Sequence, residues 1–251
     1  VSVMVETDSR PEPRTYLHSL RRHVLDPIST AIGIVDREQT EVTLERDAFE
    51  RFADRTRSLP SKPPRTGTVP TVSIRLQSST TDTAALRRAY SETVMNVPHY
   101  EDAYDESVTE NVTAEFGPEI ATLFDPGAVA SVTEATSERV VMAASQAAAD
   151  RDEFCGTLDS ELESLRVARR ELSTVLDELD SSVIPAWYRQ EFESRLSEII
   201  ECRQSEIDGR SISYFDGHNL CTYLYGDEPR TYPALTAVAR LLDSVTVREG
   251  G

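Results

Sequence analysis

The feature that most constrains this chain is a run of regularly spaced, mostly apolar residues between positions 141 and 183. Successive members are three or four residues apart over about six heptads, the spacing of one face of an α-helix. They are Val141, Ala144, Ala148, Arg151, Cys155, Leu158, Leu162, Leu165, Arg169, Leu172, Leu176, Leu179 and Val183. The pattern predicts one long, coiled-coil-like helix, in which Arg151 and Arg169 would set the register or the choice of partner if they pair with acids.

The sequence predicts a second helix over residues 186–208, with Phe192, Leu196 and Ile199 on one face. The break between the two helices is only a few residues long, and short connections join antiparallel neighbours. The two segments therefore predict an antiparallel heptad hairpin over about residues 134–208. A final helix is predicted over residues 232–245.

The N-terminal region, residues 15–59, has an apolar stripe of its own. Its members recur every seven residues, beginning with Ile28 and Val35. Asp26 before Pro27 predicts a kink or a short break, because proline suits the first turn of a new helix. The next twenty residues contain four prolines and a glycine, which is typical of a linker.

Short helices are predicted between residues 82 and 125. Gly117 suits the position after a helix end and Pro118 suits a helix start, so one helix should end and another begin there. We divide the chain into an N-terminal helical region (1–59), a proline-rich linker (60–80) and a helical domain (81–251). The predicted fold class is all-α, with long helices in an antiparallel hairpin or bundle, short connecting helices and an irregular C-terminal segment.

The charge indicates the solvent in which the protein works. Asp and Glu number 44 against 26 Lys and Arg, the net charge is −18, and Lys62 is the single lysine. Such a surface repels itself at low salt and is screened in molar salt, which favours the cytoplasm of an extreme halophile. We expect no membrane span, no signal peptide and no nucleic-acid partner, because long apolar runs and basic clusters are missing from the sequence.

Residues 211–233 are rich in tyrosine and contain a histidine and a cysteine, so two interpretations of this segment stay open. In the first, tyrosines cover the open end of the hairpin, and Cys155 is an ordinary small core residue. In the second, His218 and Cys221 converge with Cys155 on a zinc ion, although structural zinc sites usually have two close ligand pairs. We favour the first interpretation and expect no cofactor.

Catalytic motifs are missing from the sequence: there is no G-x-S-x-G, P-loop, G-x-G-x-x-G or H-E-x-x-H. The polar group His99, Tyr100, Glu101, Asp102 and Asp105 is expected to be a solvated face, because acids cluster by chance on so acidic a chain. We therefore predict a non-enzymatic scaffold that binds a protein partner or itself through its helices. The predicted contact residues are Leu158, Leu162, Leu165, Leu172, Leu176 and Leu179.

An alternative is a regulator that responds to a ligand or metal through residues 211–233, because irregular segments at a bundle end often carry recognition.

Four stretches together resemble a known family. They are residues 91–124, the heptads of residues 158–179, "CRQSEI" at 202–207 and "LYGDEPRTYPAL" at 224–235. They resemble a haloarchaeal family of helical, coiled-coil-containing cytoplasmic proteins that has no assigned activity. The resemblance implies an all-helical fold and a halophilic source, and it transfers no catalytic residue.

Overall fold

The computed structural model describes residues 13–59, 83–104, 106–128, 132–181, 189–208 and 219–246. Within these ranges the chain is helical and contains no strand, so the predicted all-α class is confirmed. The longer helices are α1 (Pro13–Ser58), α6 (Glu134–Ser181), α7 (Arg189–Asp208) and α9 (Pro233–Thr246). The shorter α-helices are α2 (residues 83–91), α3 (Tyr100–Ala103), α4 (Val108–Phe116), α5 (Pro118–Ala121) and α8 (Leu220–Tyr225).

The described residues form two compact units. Unit 2 is the continuous stretch Glu38–Gly156, and unit 1 combines Val1–Arg37 with Thr157–Gly251. Helices α1 and α6 each contribute one part to each unit. The predicted linker at residues 60–80 lies outside the described residues, so the division into three segments stays a prediction.

Helix α1 continues through Pro27, so the alternative of a break at this point is wrong. A proline inside a helix lacks the N–H that would bond the carbonyl four residues earlier, here that of His23. The Arg240 guanidinium of α9 donates a hydrogen bond to this carbonyl oxygen at 3.1 Å. A side chain from another helix thus satisfies the acceptor that Pro27 leaves open.

The apolar face predicted on α6 is buried along most of its length. Leu158, Leu165 and Leu172 are fully buried in unit 1, and Ala144 is fully buried in unit 2. Two of the predicted exceptions behave differently: Arg151 is buried, whereas Arg169 is exposed. The periodicity therefore reports burial well, and charge at a face position does not by itself predict exposure.

Helices α6 and α7 pack antiparallel in unit 1, as the hairpin prediction requires. Arg195 of α7 donates to Glu178 near the end of α6 at 2.7 Å. Further along α7, Arg203 pairs with Glu161, which lies earlier in α6. The connecting residues 182–188 are outside the described ranges.

Helices α1 and α6 also run antiparallel within each unit. In unit 1, Arg169 of α6 donates to the Ser29 hydroxyl of α1 at 3.0 Å. In unit 2, Arg46 of α1 donates to Asp152 of α6 at 3.0 Å. The stripe of α1 is buried, so its predicted core face is confirmed.

Unit 2 is completed by short helices around an aromatic core. Ser107 caps α4 in a capping box with Glu110, which satisfies backbone N–H groups at the helix start. Gly117 ends α4 with a φ of 83°, a conformation that favours glycine, and Pro118 opens α5 as predicted. The rings of Phe52 and Tyr90 meet edge to face with centroids 5.0 Å apart.

Candidate functional site

The most distinctive surface of unit 1 is a cleft between α1 and the segment that contains α8, α9 and the turn between them. It consists of two cavities, one cationic and one mainly apolar. Pro27, Thr30 and Arg230 line both cavities, so the two are adjacent. The α1 side of the cleft is a single helical face, because residues 23, 27, 30 and 34 are three or four positions apart.

The cationic cavity has a volume of about 380 Å³. Arg22, Arg230 and Arg240 line it together with His23, and Asp26 is its one acidic residue. Three guanidinium groups around one cavity are unusual on a chain with a net charge of −18. This local excess of positive charge is suited to an anion, which arginine binds through paired N–H donors.

Two of these arginines have their charges available. Arg22 and Arg230 make no hydrogen bond or ion pair with another described residue. Arg240 is directed by its bond to the His23 carbonyl, a neutral acceptor, and it forms no ion pair with another described residue. Elsewhere in the described parts of the chain, several arginines are paired with carboxylates, as in Arg46 with Asp47 and Asp152.

The apolar cavity has a volume of about 110 Å³ and continues along α1 toward its C-terminus. Its lining residues are Pro27, Thr30, Ala31, Ile34, Tyr225, Glu228, Pro229, Arg230 and Pro233. The prolines and the Tyr225 ring have few rotatable bonds, so this wall is stiff. The cleft therefore has a rigid apolar end and a cationic end.

Tyr225 connects the cleft to a buried ion pair. Its ring lines the apolar cavity, and its hydroxyl donates to Glu161 Oε1 of α6 at 2.9 Å. Burial, the charge of Glu161 and this hydrogen bond all raise the pKa of the Tyr225 phenol, so the phenol keeps its proton. A group bound in the apolar cavity would touch the side chain that holds Glu161 from the α8 side.

Glu161 and Arg203 form the buried ion pair itself. Glu161 is 0% exposed and Arg203 is 3% exposed. Two nitrogens of Arg203 donate to the two oxygens of Glu161, and one of them also donates to Ser164 Oγ at 2.6 Å. Burial lowers the pKa of Arg203, but the hydrogen bonds and charge of Glu161 outweigh it and raise that pKa. The pair joins α6 to α7 directly beneath α8.

The zinc site considered from the sequence stays a prediction, because one of its three residues lies outside the described residues. Cys155 is buried in unit 2, with Sγ 3.7 Å from Thr43 Oγ1. Cys221 is buried in α8 of unit 1, and His218 lies outside the described residues. Among the described residues, no group of three or more His, Cys, Asp or Glu side chains is placed to hold a metal ion.

The six leucines predicted to contact a partner are all buried. Leu158, Leu162, Leu165, Leu172, Leu176 and Leu179 lie on the inner face of α6 in unit 1. Packing within the chain accounts for their spacing, and direct contact with a partner stays a prediction. The third cysteine, Cys202, is exposed on α7.

A second buried charge cluster lies in unit 2 around Arg151, as the register prediction anticipated for this arginine. Arg151 donates to Glu45 at 2.8 Å and to Glu115 at 2.7 Å, and its guanidinium lies 4.4 Å from the centroid of the Phe49 ring. Burial raises the pKa of Glu45, but Arg151 and hydrogen bonds from His99 and Tyr104 lower it further than burial raises it. Arg169, by contrast, donates a hydrogen bond to the hydroxyl of a serine, Ser29, and not to an acid.

The expectation of a solvated face at residues 99–105 is wrong for its first two members. His99 Nε2 lies 3.0 Å from Glu45 Oε1, and its side chain is 12% exposed. Tyr100 is buried, which together with Glu106 and Glu115 raises its pKa to about 12. Glu101 is exposed as expected, whereas the side chain of Asp102 and the whole of Asp105 lie outside the description. His99 thus bonds to Glu45 of α1, and Tyr100 packs in a cluster with Ala48 of the same helix.

Sequence reasoning missed the arginine-lined cleft and the Glu161–Arg203 pair. The one available signal was Arg203 itself, which lies four residues after Ile199 on the apolar face of α7 and therefore points inward. The irregular segment predicted at residues 211–233 is partly helical, because Asn219 caps α8 by accepting from the Cys221 N–H at 2.8 Å.

Comparison with known proteins gives one family. Residues 26–249 match a family described as a domain of unknown function, DUF7260. No curated protein and no solved structure matches the chain. None of the helices in the described ranges has the length and apolar character needed to cross a membrane.

Proposed function

Because this match spans most of the chain, the protein belongs to the DUF7260 family, and we propose that it is a regulator that binds a small anionic ligand in the cleft of unit 1. The observation that carries the proposal is the cationic cavity, where three arginines face one aspartate. The turn after α8, within the segment singled out from the sequence, forms one wall of this cleft. Binding rather than catalysis is proposed because arginines hold and orient anions but are poor proton acceptors.

A chain of side-chain contacts connects the cleft to the packing of α6 and α7. Tyr225 lines the cleft and donates to Glu161, which in turn pairs with Arg203 of α7. A ligand that fixes the segment of residues 225–240 against α1 would therefore also favour the packed arrangement of α6 and α7. Ligands act on such equilibria through their preference for one state.

A small anion fits this cleft better than a nucleic acid does. The positive charge is confined to one cavity of about 380 Å³, whereas the chain as a whole is strongly negative. Nucleic-acid affinity requires many phosphate contacts and falls steeply with salt.

Thermal unfolding with inorganic phosphate tests the proposal. Measurements are made in about 1 M KCl, where the Debye length is about 3 Å and non-specific attraction is weak. At a phosphate concentration of 100 Kd, binding to the folded state adds about 2.7 kcal/mol, or roughly 5–10 °C in Tm for a chain of this size. The reference is KCl at the same ionic strength.

The matched pair of variants is Arg230→Gln in the cleft and Arg51→Gln on the exposed face of α1 in unit 2. The Arg230 variant should lose the phosphate-dependent rise in Tm, and the Arg51 variant should keep it. An identical response of both variants, or no rise in the unsubstituted protein, refutes the proposal.

The second candidate function is the scaffold predicted from the heptads, working by self-association. It is favoured by Met142 on α6, whose 71% exposure is high for a large apolar side chain. Light scattering should then give a dimer mass that Met142→Glu reduces to that of a monomer. A monomer mass for the unsubstituted protein at every concentration would rule out self-association.

We also propose that the protein works in the cytoplasm of a halophilic archaeon. The acidic, nearly lysine-free composition supports this setting. The free energy of unfolding should then rise as KCl is increased into the molar range, because screening removes self-repulsion. Constant stability across that range would contradict the halophilic setting.

A further inference from the structure

We propose that the ligand of this cleft is an organic phosphate monoester with a compact apolar or aromatic body, rather than a free inorganic anion. This inference rests on the proposed anion-binding function and extends it by assigning the apolar cavity to the same ligand. The phosphate lies among Arg22, Arg230 and Arg240, and the body lies against Ile34 and Tyr225.

The adjacency of the two cavities supports a single ligand. Pro27, Thr30 and Arg230 line both, so one molecule bound at these residues can reach both cavities. On α1, Arg22 and Ile34 are twelve residues apart, which corresponds to about 18 Å along a helix. That span is longer than inorganic phosphate and suits a molecule with a distinct head and body.

The size of the apolar cavity favours a ring or a branched alkyl group. Its volume of about 110 Å³ approaches the roughly 150 Å³ of an engineered protein cavity that holds benzene. The cavity shares Arg230 with the cationic cavity, so a ring with an anionic substituent can contact both. Pro229, Pro233 and the Tyr225 ring present flat apolar surfaces to such a group.

The cationic end favours a dianion. A phosphate monoester has about two negative charges at neutral pH and three acceptor oxygens. Arg22 and Arg230 have uncompensated donors among the described residues, and Arg240 is directed by the His23 carbonyl. Asp26 lines the same cavity and repels a bound anion. The three arginines can hold a phosphate head away from this carboxylate.

The test compares three probes by isothermal titration in about 1 M KCl. Phenyl phosphate contains both parts, inorganic phosphate contains only the head, and phenol contains only the body. Burial of a ring in a half-open cavity should make phenyl phosphate at least about tenfold tighter than inorganic phosphate. Phenol alone should bind far more weakly than phenyl phosphate.

Two variants test which end of the cleft binds which part of the ligand. Arg51→Gln is the control for the loss of an exposed arginine. Arg230→Gln should weaken phosphate and phenyl phosphate by the same factor. Ile34→Ser should leave inorganic phosphate unchanged and remove most of the advantage of phenyl phosphate. Circular dichroism confirms that each variant is folded, and the comparison of probes on the unsubstituted protein needs no variant.

The outcomes separate this inference from the proposed function. Equal affinity for phosphate and phenyl phosphate overturns the assignment of the apolar cavity and leaves anion binding standing. Phenol that binds as tightly as phenyl phosphate overturns the need for the anionic head. No binding of either phosphate refutes both the inference and the proposed function.

Discussion

Replacing Arg203 with Met should destabilise unit 1 severely, because it leaves the Glu161 carboxylate buried without its cation. Glu161 is 0% exposed, so water cannot replace the lost guanidinium. Removing one partner of a buried ion pair typically lowers the free energy of unfolding by about 3–5 kcal/mol. The lower end is expected here because Tyr225 still donates to Glu161.

The double variant Glu161→Gln with Arg203→Met separates two effects: the loss of the ion pair, and the cost of a buried carboxylate that has lost its cation. It removes both charges and keeps an acceptor for the Tyr225 hydroxyl, so it should be more stable than Arg203→Met alone. A coupling energy of about 2–3 kcal/mol between the two positions is expected for groups in direct contact. The gain arises because no unpaired carboxylate remains in the interior.

The same two helices provide a matched control. Arg195 and Glu178 also join α7 to α6, but both side chains are 34% exposed. Arg195→Met should therefore change the free energy of unfolding by about 1 kcal/mol or less. Urea unfolding at fixed KCl, followed by circular dichroism, measures all variants. The reasoning is refuted if Arg203→Met is no more destabilising than Arg195→Met.

Two further predictions concern Glu45 and a pair of glycines. The pKa of Glu45 is lowered in the folded state, so its contribution to stability is present above the ordinary pKa of a glutamate and is lost as the pH falls through the lower pKa of the folded state. Stability measured against pH should therefore fall less steeply below the ordinary pKa in Glu45→Gln, and an unchanged slope would contradict the assignment. Gly117→Ala should destabilise by about 1–3 kcal/mol because the φ of 83° strains any side chain. Gly33→Ala, at an open position inside α1, should instead stabilise by about 0.5–1 kcal/mol, and urea unfolding that gave both changes the same sign would be incompatible with this account.

The long helices could be predicted because their signal is local. A step of three and four residues places apolar side chains on one face whatever they pack against. The burial of Leu158, Leu165 and Leu172 follows from that spacing. The turn at Gly117 and Pro118 was predictable for the same reason, since each residue has a strong preference at its own position.

The candidate site could not be predicted, because its members are distant in sequence. Arg22 and Arg240 meet only when α9 packs near the start of α1, and no local pattern specifies that pairing. Glu161 is one acid among 44, and its burial depends on Arg203 across the hairpin. A charged residue on a helix is usually exposed, so its burial depends on a partner that tertiary structure supplies.

The order in which the chain is synthesised affects the two units differently. Unit 2 is the continuous stretch Glu38–Gly156, so all its residues have been made once Gly156 has been added. Unit 1 needs the first part of α1 and also the roughly 95 residues after Gly156, which take about 5–20 s at ~5–20 residues per second. The part of α1 that belongs to unit 1 therefore stays uncovered, with Ile28 and Val35 exposed, until the later helices have been made. Nascent unit 1 is accordingly the part of the molecule that a chaperone would have to protect.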